Sequence, residues 1–561
     1  MIKKILFAAT MTGLMTTMTY AQSCKQADIV LKNGTVYTVN ENQPTAEAVA
    51  ILGSKIIYVG DDIGVERYAC GDANVVDLMG KAVYPGLIDA HGHLSGVGFR
   101  EVNLNLQGIN SLAEVLVKVK EYADANPDLP WITGRGWIEK VWPEGRFPTR
   151  QDLDAIVPDR PVYLGRADGH AAVINSVTME LAEITGTTVS PPGGAINLDD
   201  EGNPTGMLID KAMNIVRPLI PPVSREQNKE AIRAGTERNA RLGWTGFHNA
   251  GSNYEDLIQM RELRAEGKLD HRVYQAIRPM SVPEDAEILY QNGGEIDPEH
   301  YITAREFKIT VDGALGSRGA SFIEPYSDYD TTGLLRYSTD DLVPLLIRGL
   351  ETGIQFQIHA IGDAANRMVL DSYEMALNAV PKSKRAVADP RWRIEHAQNV
   401  QPDDVDRFIN MDILPSMQPS HAIGDLHFAG DRLGQERLAN AYLWRTFIDK
   451  GAIIPGGTDQ PVEIGDPRIE FYAAIARKDL DGYSGEGWHP ELKVTREEAL
   501  KMFTIWAAYA AFQENVLGSI EVGKLADFSI FDKDIMTIPE EEIMSSTNVM
   551  TIVHGEIVYQ K

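Results

Sequence analysis

Two histidines separated by a single residue, His91 and His93, close the apolar run Val83-Tyr84-Pro85-Gly86-Leu87-Ile88-Asp89-Ala90. Side chains alternate along a strand, so both imidazoles leave the same face. That is a chelating geometry, because neutral imidazole is the commonest metal ligand and catalytic sites gather three or more ligands from different strands. Further candidates recur downstream, each near the end of a predicted strand: Lys308 in Phe307-Lys308-Ile309-Thr310-Val311, then His359, His396, and Asp459 in Gly456-Gly457-Thr458-Asp459. Cys24 and Cys70 are the only cysteines, too few for a thiolate site, so any metal rests on imidazole and carboxylate. Those ligands suit zinc, manganese and iron, with zinc the expected ion and one or two ions per site.

The elements that must position these residues read as strand then helix, repeatedly, which implies a parallel sheet. The predicted strands are Tyr84–Ala90, Gly243–His248, Arg272–Ile277, Glu306–Val311, Gln355–Ile358, Trp392–Glu395, Ile413–Met417 and Ile453–Pro455. Eight strands are what a closed (β/α)8 TIM-like barrel needs, and groups at their C-terminal ends meet at one mouth. Residues from about 94 to 242 are left over. Strand signals at Pro130–Thr133 and Pro161–Leu164 make them an insertion after the first barrel strand, placed to serve as a lid. Short alternating strands fill 28–83, with an Asn33-Gly34 hairpin signal, and return at the C-terminus in Gly523 to Asp532 and Val549 to Tyr559. Neither end has enough strands alone, so the two are expected to form one composite β-sandwich. The chain then divides into a leader at 1–21, half of the sandwich at 22–83, the barrel at 84–515 and the other half at 516–561. Thr495-Arg496-Glu497-Glu498 reads as the capping-box start of a helix that Gly518 closes.

A formal net charge of −27 repels phosphate backbones and anionic headgroups, which argues against nucleic acid or a membrane surface as partner. Met1-Ile2-Lys3-Lys4, the apolar run from Ile5 to Met18 and then Thr19-Tyr20-Ala21 read as a signal peptide cut after Ala21, so the protein is expected to be periplasmic or secreted. The leader is too short to span a bilayer, and no later stretch is long enough. Lipid anchoring at Cys24 is the lesser alternative, because Ala21-Gln22-Ser23 matches a lipobox poorly. In an oxidising compartment Cys24 and Cys70 have the means to form one disulfide.

The motifs Pro85-Gly86-Leu87-Ile88-Asp89-Ala90-His91-Gly92-His93, Asp312-Gly313-Ala314-Leu315-Gly316-Ser317-Arg318, His359-Ala360-Ile361-Gly362-Asp363, Ile394-Glu395-His396-Ala397-Gln398, Gln418-Pro419-Ser420-His421, Gly457-Thr458-Asp459, and Gly518-Ser519-Ile520-Glu521 with Gly523-Lys524-Leu525-Ala526-Asp527 occur in that order. Together they resemble the amidohydrolase superfamily, and within it the YtcJ-like branch that includes N-substituted formamide deformylases. The resemblance covers essentially the whole chain after the leader. It implies that His91, His93 and Asp459 hold one divalent cation, that His359 and His396 hold a second, and that Lys308, carboxylated by carbon dioxide, bridges them. A buried lysine loses its proton readily, which favours carboxylation; the alternative is a lysine pointing sideways into a structural ion pair.

The chemistry so implied is hydrolysis of a non-peptide or terminal amide C–N bond in a small molecule, for example an N-acyl, N-formyl or cyclic amide. A divalent cation lowers the pKa of water and polarises a carbonyl oxygen. Asp459 is then the base that takes the water's proton and hands it to the leaving nitrogen. His421, after the seventh strand, is the first candidate donor to the oxyanion, and Arg166, Asp168 and His170 in the insertion are a second source. Arg318 suits either a substrate carboxylate or its own glycine-rich loop. Glu395 should alternate to the face opposite His396 and so be structural. Trp131, Trp137 and Trp142 are packing residues before they are pocket residues, and His248, His271, His300, His427, His489 and His554 are core or surface residues. The same metal chemistry would serve an ester, lactone or phosphoester, and a scaffold kept only for binding should have lost a ligand; none is missing.

Overall fold

The computed structural model describes residues 25–561 except Lys140, Val141, Asp168 and His170, so the leader, Cys24, Asp168 and His170 lie outside the described residues. Seven parallel strands form the central sheet: β1 (Leu87–Gly92), β2 (Trp244–Ser252), β3 (Arg272–Ile277), β4 (Ile302–Thr310), β5 (Gln355–Ala360), β6 (Arg393–His396) and β7 (Leu414–Ser416). They neighbour one another in sequence order. Almost every residue in them is buried, as a parallel sheet covered on both faces requires.

The expected eighth strand at Ile453–Pro455 is not a regular strand. The barrel is brought nearly closed by single parallel bridges, Met417 with Gly456 and Gly92 with Gln460. Ala90 N donates to Gly456 O (3.0 Å) and Asp459 N to His91 O (2.7 Å). Close approach explains the irregularity: a Cβ on Gly457 would lie 2.5 Å from the His91 nitrogen, so only glycine lets this segment press against β1. Asp89 fastens the two, accepting from Thr458 N (2.9 Å), Thr458 Oγ1 (2.7 Å) and Gln460 Nε2 (2.9 Å).

Between β1 and β2 the chain builds a six-stranded sheet of its own, in which Ile132–Trp137 and Val162–Arg166 are neighbouring strands. Its core of Leu112, Val115, Val119, Ile132, Trp137 and Leu164 is separate from the barrel's. Two helices join this segment to the barrel. Helix α1 (Leu94–Val102) starts directly after His93, and α2 (Arg225–Leu242) opens on a Ser224/Gln227 capping box and stops at Gly243 with φ 107°. The two touch backbone to backbone: a Cβ on Gly98 would fall 1.5 Å from the Ala231 carbonyl oxygen, and one on Gly235 2.9 Å from that of Leu94.

At the opposite end, one six-stranded sheet draws on both termini, pairing Ala82–Pro85 with Phe528–Phe531. It shares a core with a four-stranded sheet through Ile29, Leu31, Val49 and Ile51 on one side and Val83, Phe528, Ile530 and Ile552 on the other. Arg272 on β3 ties this end to the barrel by a buried bidentate pair with Asp527 (2.6 and 3.0 Å). Cys70 is disulfide-bonded. The predicted capping box at Thr495 is present, but its helix ends at Met502 rather than reaching Gly518, and a second helix, Ile505–Ala510, follows. Among the described residues no helix is long and apolar enough to cross a membrane.

Candidate metal centre

The strand ends deliver the predicted residues to one cavity of about 390 Å³, lined by His91, His93, Lys308, His359, His396, His421 and Asp459 among others. Asp459, turned inward at φ 57°, is its hub. Its Oδ1 lies 3.1 Å from His93 Nε2 and 3.5 Å from His91 Nε2, and its Oδ2 3.6 Å from His421 Nε2. Two groups have ligand atoms within 4.8 Å of one another: His91, His93 and Asp459, and His396, His421 and Asp459. His359 enters the cavity with its ring 4.4 Å from that of His396, but its Nε2 faces Asp312 Oδ1 at 3.3 Å and it belongs to neither group. Lys308 points inward and not sideways, with Nζ 3.3 Å from His91 Nε2.

These residues fit a divalent cation. His93 Nδ1, His359 Nε2, His421 Nε2 and Asp459 Oδ1 are buried without a hydrogen bond among the described residues, and it is the other nitrogen of His93, Nε2, that stands 3.1 Å from Asp459 Oδ1. Buried polar atoms are rarely left unsatisfied, and lone-pair donors that converge without bonding one another are what a ligand shell consists of. Protonation agrees for three of the imidazoles. Burial lowers the pKa of His93 and His359 and drives that of His396 well down, so these favour the neutral form a metal needs. For His91 burial is more than offset by Glu395 and Asp459, which raise its pKa. Burial pushes the Asp459 carboxyl up, but the His91 and His93 rings more than offset it and hold it well below the usual range.

Hydrogen bonds outside the cavity decide which nitrogen faces in. His396 Nδ1–H donates to Gln418 Oε1 (2.7 Å), and His91 Nδ1–H donates to Glu395 Oε2, so each ring presents Nε2 to the site. The Glu395 contact corrects the sequence expectation. Strand alternation would send Glu395 away from His396, but His396 and Ala397 both adopt positive φ (71° and 40°), which breaks the alternation and brings both side chains inside. Below it lies a fully buried chain of charge. Arg393 donates to Glu306 Oε1 (2.6 Å) and to His248 Nδ1 (3.0 Å), and its Nε is 3.2 Å from Glu395 Oε1. Burial raises Glu395, yet Arg393 and His91 hold its pKa down to about 2; Glu306, for which burial dominates, rises to about 7. His248 and His271 are buried core histidines, as expected.

Other candidates are engaged elsewhere. Arg318 forks onto Asp328 (3.0 and 2.7 Å), which Arg432 also grips, so it holds its own loop. Arg166 forks onto Glu139 (2.8 and 3.0 Å). Trp137 and Trp142 are buried and donate to Leu164 O (2.8 Å) and Ile109 O (3.0 Å), and Trp131 packs on a neighbouring cluster, so all three serve packing. Sequence reasoning passed over Arg278, Asp425 and Glu463, which line the same cavity. Burial raises the pKa of both acids, and Glu463 Oε1 is 3.8 Å from His421 Nε2.

Known proteins resemble the chain throughout. The model of the amidohydrolase family matches residues 74–559. YtcJ of Bacillus subtilis (strain 168), which carries an amidohydrolase name, is 31% identical over 535 residues, covering 94% of this chain and 98% of that protein. The N-substituted formamide deformylase of Arthrobacter pascens is 29% identical over 552 residues, covering 95% of this chain and 98% of that protein. The crystal structure of an uncharacterized metal-dependent hydrolase from Pyrococcus furiosus superposes with a TM-score of 0.73 at 30% identity, covering 91% of this chain and all of that one (100%). This chain therefore belongs to the amidohydrolase family.

Proposed function

We propose that the protein is a metal-dependent hydrolase of a non-peptide or terminal amide C–N bond in a small molecule, exported by its leader to the periplasm or beyond. The observation that carries this reading is the convergence of buried, unbonded imidazole and carboxylate atoms around Asp459. Nitrogen as the leaving atom draws its support from the formamide deformylase relative. His91, His93 and Asp459 would hold one ion, zinc by preference, and His359 with His396 the other. Burial lowers the Lys308 pKa to about 8, which raises the share of neutral amine; a carbamate formed as that amine adds to carbon dioxide and loses a proton would supply further oxygen ligands.

A divalent cation bound there supplies Lewis acidity, lowering the pKa of water and polarising a carbonyl. The chain's own groups do the rest. Asp459, ionised and facing the histidine pairs, takes the proton of the attacking water and delivers it to the departing nitrogen. His421, stacked 5.5 Å from His396, donates toward the carbonyl oxygen as negative charge develops there. The insertion, which leaves the barrel directly after His93, would serve as a lid over its mouth.

Metal analysis of the purified protein, joined to matched panels of N-formyl, N-acyl and cyclic amides and their ester counterparts, tests the reading. Bound zinc with turnover of amides is expected; turnover confined to esters, or full activity after exhaustive chelation, overturns it. Glu395→Gln should weaken metal binding by about 10- to 100-fold in chelator competition, because the partner that orients and polarises His91 loses its charge. Unchanged affinity would remove Glu395 from that role.

A further inference from the structure

The metal cavity is lined by one arginine, Arg278. Arg278 follows β3 and lines the wall between the metal cavity and a second, polar recess of about 390 Å³ that also contains Ser95, Asn249, Ser252 and Asn253. His93 and Arg278 are common to both. Its guanidinium makes no hydrogen bond and no ion pair among the described residues. In a chain with 80 acidic and 53 basic residues, where Arg166, Arg318 and Arg393 each grip a carboxylate, an unpaired guanidinium at the site is the exception. The carboxylate in the recess, Asp256, accepts from Asn228 Nδ2 (2.7 Å) and acts on the exposed Arg278 through its charge alone, without an ion-pair contact.

The position is built and not incidental. Gly251, with φ 95°, ends β2 beneath Arg278; a Cβ there would lie 2.7 Å from Arg278 Nε and 3.0 Å from both Arg278 Cγ and Lys308 Cγ. The missing side chain is what lets Arg278 lie across the strand end beside the Lys308 stem. Asp425 and Glu463 line the same cavity, from segments that follow the seventh strand and the closing bridges, so the cavity has a polarity that an anion would follow toward Arg278. A guanidinium fork matches a carboxylate edge to edge.

Resting on the amide-hydrolase reading, we infer that Arg278 anchors a substrate carboxylate, so that the bond cleaved lies in an amide carrying a carboxylate a few bonds from the scissile C–N, as in an N-acyl amino acid. In that step water's hydroxyl joins the acyl carbon, the C–N bond breaks, and water's proton leaves with the nitrogen. The products are a carboxylic acid and an amino acid. A charge-assisted fork of this kind discriminates a carboxylate from its neutral amide by about 10- to 100-fold.

Two measurements test the anchor. First, calorimetry on the metal-free protein compares N-acetyl amino acids with their carboxamides and with matched phosphonates. The carboxylate should bind at least about 10-fold tighter than the carboxamide, and Arg278→Gln should erase that ratio while Arg278→Lys keeps part of it. Equal binding of carboxylate and carboxamide, or a ratio that survives in Arg278→Gln, overturns the proposal. Tighter binding of the phosphonate than of the carboxylate overturns it in favour of a phosphate ester. Second, kcat/KM on the same pairs with the metal-loaded protein should show the preference largely in KM. Carboxylate-selective binding without amide turnover would support the anchor and overturn the amide reading alone, so the two fail separately.

Discussion

Asp459→Asn should lower kcat by between about 10² and 10⁴ while the protein stays folded. The substitution keeps the shape and the backbone bond from Asp459 N to His91 O, but it removes the one negative charge that faces both histidine groups. An amide also cannot accept and pass on water's proton, so both the ionic grip and the proton transfer go together. Kinetics on the best substrate, with circular dichroism to check the fold, reads this directly. A variant working at the native rate would take Asp459 out of the chemistry and leave the cavity without its hub.

Arg393→Ala should cost about 3–5 kcal/mol of stability, because it strands two buried carboxylates that now share one cation. Glu306 and Glu395 both touch this side chain and neither reaches solvent. The loss should depend on pH in a definite direction. Burial holds Glu306 protonated up to about pH 7, so its folded pKa lies above its ordinary value of 4.5, and stability falls as pH rises between the two. Without Arg393 the cost of ionising Glu306 grows, so the deficit should be larger at about pH 8 than at about pH 5. Denaturant unfolding at both pH values measures it; a deficit that shrinks as pH rises would show that the ion pairs are not its source.

The candidate ligands His91, His93, His359 and His396 are legible because each sits where a strand pattern ends, and spacing alone places His91 and His93 on one face. Register follows from the same pattern, as in the pairing of Thr310 with His359 and Ala360 with His396. What escaped depends on backbone departures or on partners distant in sequence. Two consecutive positive φ values at His396 and Ala397 turn His396 in beside Glu395, and no periodicity announces them. The closing segment dissolves into bridges because Gly456-Gly457 trades regular pairing for close approach. Arg318 and Arg278 look alike as sequence; only the fold shows that the first forks onto Asp328 and that the second makes no hydrogen bond or ion pair with its guanidinium among the described residues.

The glycine seam between α1 and α2 has a consequence for how such an enzyme can change. His93 is the residue from which α1 departs, and the whole inserted sheet hangs beyond that helix. Because α1 packs backbone to backbone on α2 at Gly98 and Gly235, a larger side chain at either glycine would push on the helix that departs from His93, so a substitution far from the cavity would be felt at the imidazole.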